Sequence, residues 1–145
     1  MADLEMLLKI RAFLEKKYPD FPKFRCGEAA SLVKKALHYS FRAGYFYVPS
    51  KQVKNGHILE TLETAFIPHA WNYNSRDKEL VDVCADQFGV NNKILVLPSG
   101  SDLARRYLFS LGKFFLFECE QLRNWSYGDD YAEFNKLINI PVINA

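Results

Sequence analysis

Three side chains of this sequence are of the types that acyl-transfer chemistry needs: a thiol at Cys26, an imidazole at His69 and a carboxylate at Asp82. A thiol attacks as its thiolate, a neighbouring imidazole takes and returns the proton, and a carboxylate behind the imidazole fixes its tautomer and orientation. Cys26 stands in Phe24-Arg25-Cys26-Gly27-Glu28-Ala29-Ala30, where a helix is expected to begin after a proline-rich approach. Unpaired N–H groups and the positive dipole end at a helix start favour thiolate over thiol, and Arg25 adds in the same direction. Gly27 leaves the backbone beside the sulfur open to an approaching carbonyl. The competing reading of a lone cysteine is a small buried hydrophobe.

His69 follows Pro68. Proline has no ladder donor and belongs at a strand's first residue or edge, which puts His69 near a sheet end. Alternation places His69, Trp71 and Tyr73 on one face of a strand, and Leu80, Asp82 and Cys84 on one face of the returning strand. With an even-numbered loop centred on residues 75–77, His69 and Asp82 are direct or diagonal neighbours; an odd loop puts them on opposite faces. A charge inside Leu80-Val81-Asp82-Val83 is costly unless hydrogen-bonded, and an imidazole N–H is a suitable partner. Trp71 shares the His69 face and is the candidate for contact with substrate.

Other assignments compete for these residues. Cys26, His69, Asp82 and Cys84 are all of metal-ligand type, but no Cys-x-x-Cys pair accompanies them, and one hairpin supplying three zinc ligands is unusual. Cys84 reads more simply as a packed strand residue. Cys119, between Glu118 and Glu120, is an electronegative position that disfavours a thiolate. His38, mid-helix, and His57, after a turn, have no evident partner. Tyr45, Phe46, Tyr47, Trp71, Tyr73, Trp125 and Tyr127 could line a recognition surface, which makes a non-catalytic binding module the alternative to an enzyme.

The elements that must position these groups read as an α+β domain, N-terminal helices on an antiparallel sheet. Residues 3–17 form an amphipathic helix with Leu4, Leu7, Leu8, Ile10, Phe13 and Leu14 apolar and Lys9, Arg11, Glu15 and Lys16 off that stripe. Pro19 and Pro22 end it. A second, central helix is expected from Cys26 to about Arg42, with Gly44 as its C-terminal cap. Strands follow at 45–48, from Ala65, at 69–73 and 80–84 around a polar 74–79 turn, and at 93–97. Asn55-Gly56 is a turn signal. Residues 101–109 read as a short helix, 113–119 as a β-run and 129–137 as a last helix.

The 145 residues form one domain, 1–145, with 49% hydrophobic and 25% charged side chains, which argues against disorder. Three cysteines make no disulfide framework. Residues 1–55 carry 11 basic and 5 acidic side chains and 56–145 carry 8 and 12, a formal net charge of +2. Two differently charged faces explain that split, and such a balance gives a nucleic-acid partner little support. The acidic start Met1-Ala2-Asp3-Leu4-Glu5 is no secretory leader, and no apolar run nears the roughly 18–20 residues that span a bilayer. The expectation is a cytoplasmic protein with reduced thiols, no membrane partner and no cofactor.

Cys26-Gly27-Glu28-Ala29-Ala30, His69-Ala70-Trp71 and Leu80-Val81-Asp82 together resemble the transglutaminase-like branch of the papain-like cysteine enzymes. That branch has a helix-start Cys, a His-x-Trp opening a strand and an Asp on the next strand. Ala85-Asp86-Gln87-Phe88-Gly89 is similar to a segment of small bacterial members, among them peptide-processing proteases and glutamine deamidases. The resemblance covers roughly residues 24–89 and leaves the C-terminal third unaligned. It implies a papain-like core with Cys26 as nucleophile, His69 as base and Asp82 as orienter. It further implies a protein or peptide substrate attacked at a carboxamide, by a protease, deamidase or transglutaminase. The chain departs from the family in having Phe24-Arg25 where a Trp is usual, and Asp82-Val83-Cys84 where Asp-Pro-Thr is usual.

Overall fold

A computed structural model describes residues 1–23, 25–48, 52–54, 57–59, 65–88, 92–109 and 130–139. Helix α1 spans Leu4–Lys17, starting where the Asp3 carboxylate accepts the Met6 N–H at 3.0 Å. Its buried apolar residues are Leu7, Ile10 and Leu14, at helical spacing, and each is worth about 1.5–3 kcal/mol of transfer free energy. Leu4 and Leu8, expected on the apolar stripe, are instead more than half exposed. Arg11, expected in solvent, is buried because partners from a distant segment satisfy its guanidinium. It makes two 2.8 Å bonds to the Asp86 carboxylate, one of 2.7 Å to the Val83 carbonyl and one of 2.8 Å to Glu15.

Helix α2, Cys26–Leu37, is shorter than its sequence pattern suggests. His38 adopts the left-handed conformation (φ 61°) that the expected reading gave to Gly44, and its N–H caps Lys34. The chain then enters strand β1, Ser40–Val48, so Gly44 is a strand residue. A Cβ there would stand 1.9 Å from the Leu108 carbonyl oxygen and 3.0 Å from the Trp71 ring, an approach that only glycine permits.

Strands β2 (Gln52–Lys54) and β3 (His57–Leu59) form a separate two-stranded ladder; the Asn55-Gly56 turn lies outside the described residues. The main sheet also holds β4 (Ala65–Asn74), β5 (Glu79–Asp82), β6 (Leu95–Pro98) and β7 (Tyr107–Phe109). Its order is β6-β5-β4-β1-β7, antiparallel at every junction. The short helix expected over 101–109 is one 3-10 turn, Ala104–Arg106, and its remainder pairs with β1 as β7. Helix α3, Asp130–Ile138, sets Phe134 against Phe13, with ring centroids 5.6 Å apart. The run at 113–119, with Cys119, and Trp125 and Tyr127 lie outside the described residues.

Two cores occupy the two faces of the sheet. Helix α2 covers one, where Ala29, Ala30, Leu32 and Val33 meet Ala43, Ala70 and Val81, and Asn72 donates to the Ala30 carbonyl at 2.9 Å. The small side chains of Ala29 and Ala30 permit that approach. The other face holds Phe46, Trp71, Leu80, Ala104 and Tyr107. The architecture is α+β, helices on a curled antiparallel sheet. No helix of the described residues is long and apolar enough to cross a membrane.

Candidate active site

The β4–β5 hairpin sets the geometry. Its ladder pairs Asn72 with Val81, Tyr73 with Leu80 and Asn74 with Glu79, leaving the four-residue turn 75–78, an even loop. That register puts Trp71 opposite Asp82 and His69 on the diagonal, all on one face. The imidazole Nε2 and the Asp82 Oδ2 lie 2.8 Å apart, and both side chains are buried. Pro68 is not the first residue of its strand, as expected, but the fourth of β4. Among the described residues the β4–β5 pairing stops at Asn72, so Pro68 lies beyond that ladder while it faces Tyr45 of β1 on the other side.

Cys26, the first residue of α2, supplies the other contact of the imidazole: its thiol is hydrogen-bonded to His69. The imidazole thus has the Asp82 carboxylate on Nε2 and the Cys26 thiol as a second partner. Among the described residues, no three His, Cys, Asp or Glu side chains converge as a metal ion requires. The N-cap residue of the helix, Arg25, makes no side-chain cap bond to the first-turn N–H groups. Cys26 is 5% exposed and His69 not at all.

Burial alone lowers the His69 pKa. The charge and hydrogen bond of Asp82, followed by those of Cys26, outweigh it and raise the imidazole to about 10. The ring therefore carries its proton at neutral pH. Burial, with the charges of Asp82 and Cys26 adding to it, pushes the Cys84 thiol well above its ordinary value, so this thiol stays protonated and inert. Its role is in its backbone: the Cys84 N–H donates to Asp82 Oδ1 at 2.8 Å.

Trp71, the expected substrate contact, packs beside the imidazole. It is 3% exposed, its ring stacks 6.1 Å from the imidazole at 19° and meets Tyr107 edge-on at 5.3 Å. It shields His69 from water. Tyr107 itself was hidden by the helical reading of its segment: its hydroxyl donates to Asp82 Oδ2 at 2.7 Å. In a flat sheet β7 would lie about 14 Å from β5, three strand spacings away, so this bond also measures how far the sheet curls. A second contribution missed by spacing is the Arg11 clamp on Val83 and Asp86, which fixes the turn leaving Asp82. His38 is exposed at the end of α2, where it forms the C-cap.

No family profile, no curated protein and no solved structure matches this chain.

Proposed function

We propose that the protein is a cysteine-dependent acyl-transfer enzyme that attacks a carboxamide or peptide carbonyl of a protein or peptide substrate. The observation that carries this reading is the buried His69 imidazole bonded to Asp82 and to the Cys26 thiol at a helix start. The Cys26 thiolate, its proton carried by the His69 imidazolium, adds to the carbonyl carbon while the backbone N–H of Cys26 donates to the developing oxyanion. The protonated His69 gives its proton to the departing nitrogen, leaving a thioester on Cys26. Water, deprotonated by the now neutral imidazole, attacks the thioester and releases the acid; an amine in place of water gives a new amide. Asp82 holds the ring in the tautomer that serves both steps. The order of these groups along the chain and the helix-to-hairpin arrangement support a papain-like, transglutaminase-like core.

Mass spectrometry of a protein mixture exposed to the enzyme separates the variants of this chemistry. A new chain terminus marks a peptidase, the mass gain of amide to acid marks a deamidase, and a cross-linked pair marks a transglutaminase. Each product is expected to vanish with Cys26→Ala. Products that persist in that variant, or none under any condition, contradict the proposal. The burial of His69 and Trp71 favours the second reading, a non-catalytic protein- or peptide-binding module in which the cluster only satisfies its own polar groups.

A further inference from the structure

Asp82 is asked to do more than hold one imidazole. Its Oδ1 accepts the Cys84 N–H at 2.8 Å, and its Oδ2 accepts two donors, His69 at 2.8 Å and the Tyr107 hydroxyl at 2.7 Å. Tyr107 comes from the far edge of the sheet and is 7% exposed. Its ring packs edge-on against Phe46 (centroids 5.1 Å, 74°) and Trp71, with the hydroxyl on Asp82. Burial, reinforced by Asp82, pushes the phenol well above its ordinary value, so it is a fixed donor across the working pH range. Among the described residues, the titratable groups facing His69 are then Asp82 from β5, Cys26 from α2 and Tyr107 from β7, with Cys84 behind Asp82.

We infer that Tyr107 is a positioning residue that shares Asp82 Oδ2 with the imidazole and so limits how tightly the carboxylate holds the His69 proton. Two donors on one oxygen compete for the same negative charge; each weakens the other's bond. A carboxylate facing the imidazole alone would over-stabilise the imidazolium, and a general acid that binds its proton too firmly gives it up slowly. Tyr107 therefore tunes the second half of the proton's path, from imidazole to leaving group. This rests on the proposed acyl-transfer reading, but its measurement does not.

The His69 Nε2 proton is observable by NMR in protein labelled with 15N-histidine, as a downfield ring N–H resonance at neutral pH, assigned by its loss in Asp82→Asn. In Tyr107→Phe, which keeps the ring, the imidazole–carboxylate bond should shorten and the resonance should move further downfield. A merely structural role predicts the opposite, an upfield shift or loss to exchange as the pair loosens, and either result overturns the inference. So does the absence of the resonance in the unsubstituted protein. If Tyr107→Phe does not fold, 3-fluorotyrosine incorporation gives a stronger phenol donor and should move the same resonance upfield; no movement overturns the inference. Cys26 labelling by iodoacetamide at neutral pH should stay within about twofold in Tyr107→Phe, because attack needs the imidazolium and not its release. A loss beyond about tenfold would assign Tyr107 to the pair's assembly instead. An inert Cys26 in the unsubstituted protein would remove the acyl-transfer reading while leaving the resonance shift to be decided on its own.

Discussion

Two buried polar clusters flank the start of α2, and they satisfy their charges in opposite ways. Where α1, α2 and α3 meet, Asp130 is covered by Lys17 at 2.5 Å and by the Tyr18 hydroxyl at 3.0 Å, and Glu28 bonds Arg25 at 3.1 Å. Arg25 also lies 4.2 Å over the Tyr18 ring. Both buried carboxylates have a cation beside them, and burial pushes the Glu28 carboxyl up against the pull of Arg25. The result is a latch, in which opposite charges close helices on one another. On the sheet side, three donors converge on Asp82 and no lysine or arginine joins them among its hydrogen-bond partners in the described residues. Among the described hydrogen-bond partners of Asp82, the imidazole is the group that carries a transferable charge, and Cys26 acts on it as well. Charge is neutralised in the first cluster and kept movable in the second.

The widest separation between them should appear with Asp82→Asn against Asp130→Ala. Asp82→Asn is expected to slow Cys26 alkylation about tenfold to a hundredfold, since the imidazole loses both its orienting acceptor and its proton affinity. Asp130→Ala should leave that rate within about twofold while costing about 2–3 kcal/mol in urea unfolding, because Lys17 and Tyr18 lose their buried partner. Equal effects on both assays would erase the distinction.

The pH dependence of stability is a sharper version of the same contrast. The His69 pKa is raised in the folded state, so its contribution is fully present below about 6.5 and is lost as pH rises through about 10. The stability gap between the unsubstituted protein and His69→Gln should therefore shrink across that interval; a constant gap contradicts a proton held between His69 and Asp82. The smallest effect belongs to Glu28→Gln. Its carboxyl is raised and one oxygen has no hydrogen-bond partner among the described residues, so the substitution should change unfolding free energy by less than about 1 kcal/mol.

How much of this is legible in the sequence depends on the range of the interaction. Period-two alternation along 69–73 and 80–84, with an even turn, is enough to put His69 beside Asp82, because strand parity is local. The start of α2 at Cys26 follows equally locally from the prolines before it. Arg11 is not legible: its spacing assigns it to solvent, and the partners that make burial tolerable include Val83 and Asp86, 72 and 75 positions away. Tyr107 is hidden for a similar reason, since Ser101 and Asp102 resemble a helix cap while pairing with β1 draws the segment into the sheet. Gly44 carries the signature of a helix C-terminus, yet His38 takes that conformation and the glycine serves a backbone contact with Leu108. In each case a tertiary contact overrides a sound local pattern.

The central claim is that His69 activates Cys26, and the kinetics of thiol alkylation in the native protein test it most directly. With iodoacetamide at neutral pH and site-resolved mass spectrometry, Cys26 should react at least about tenfold faster than Cys84 and Cys119, and His69→Ala should lower the Cys26 rate about a hundredfold. Equal labelling of the three cysteines, no labelling without denaturant, or a Cys26 rate indifferent to His69→Ala would contradict it.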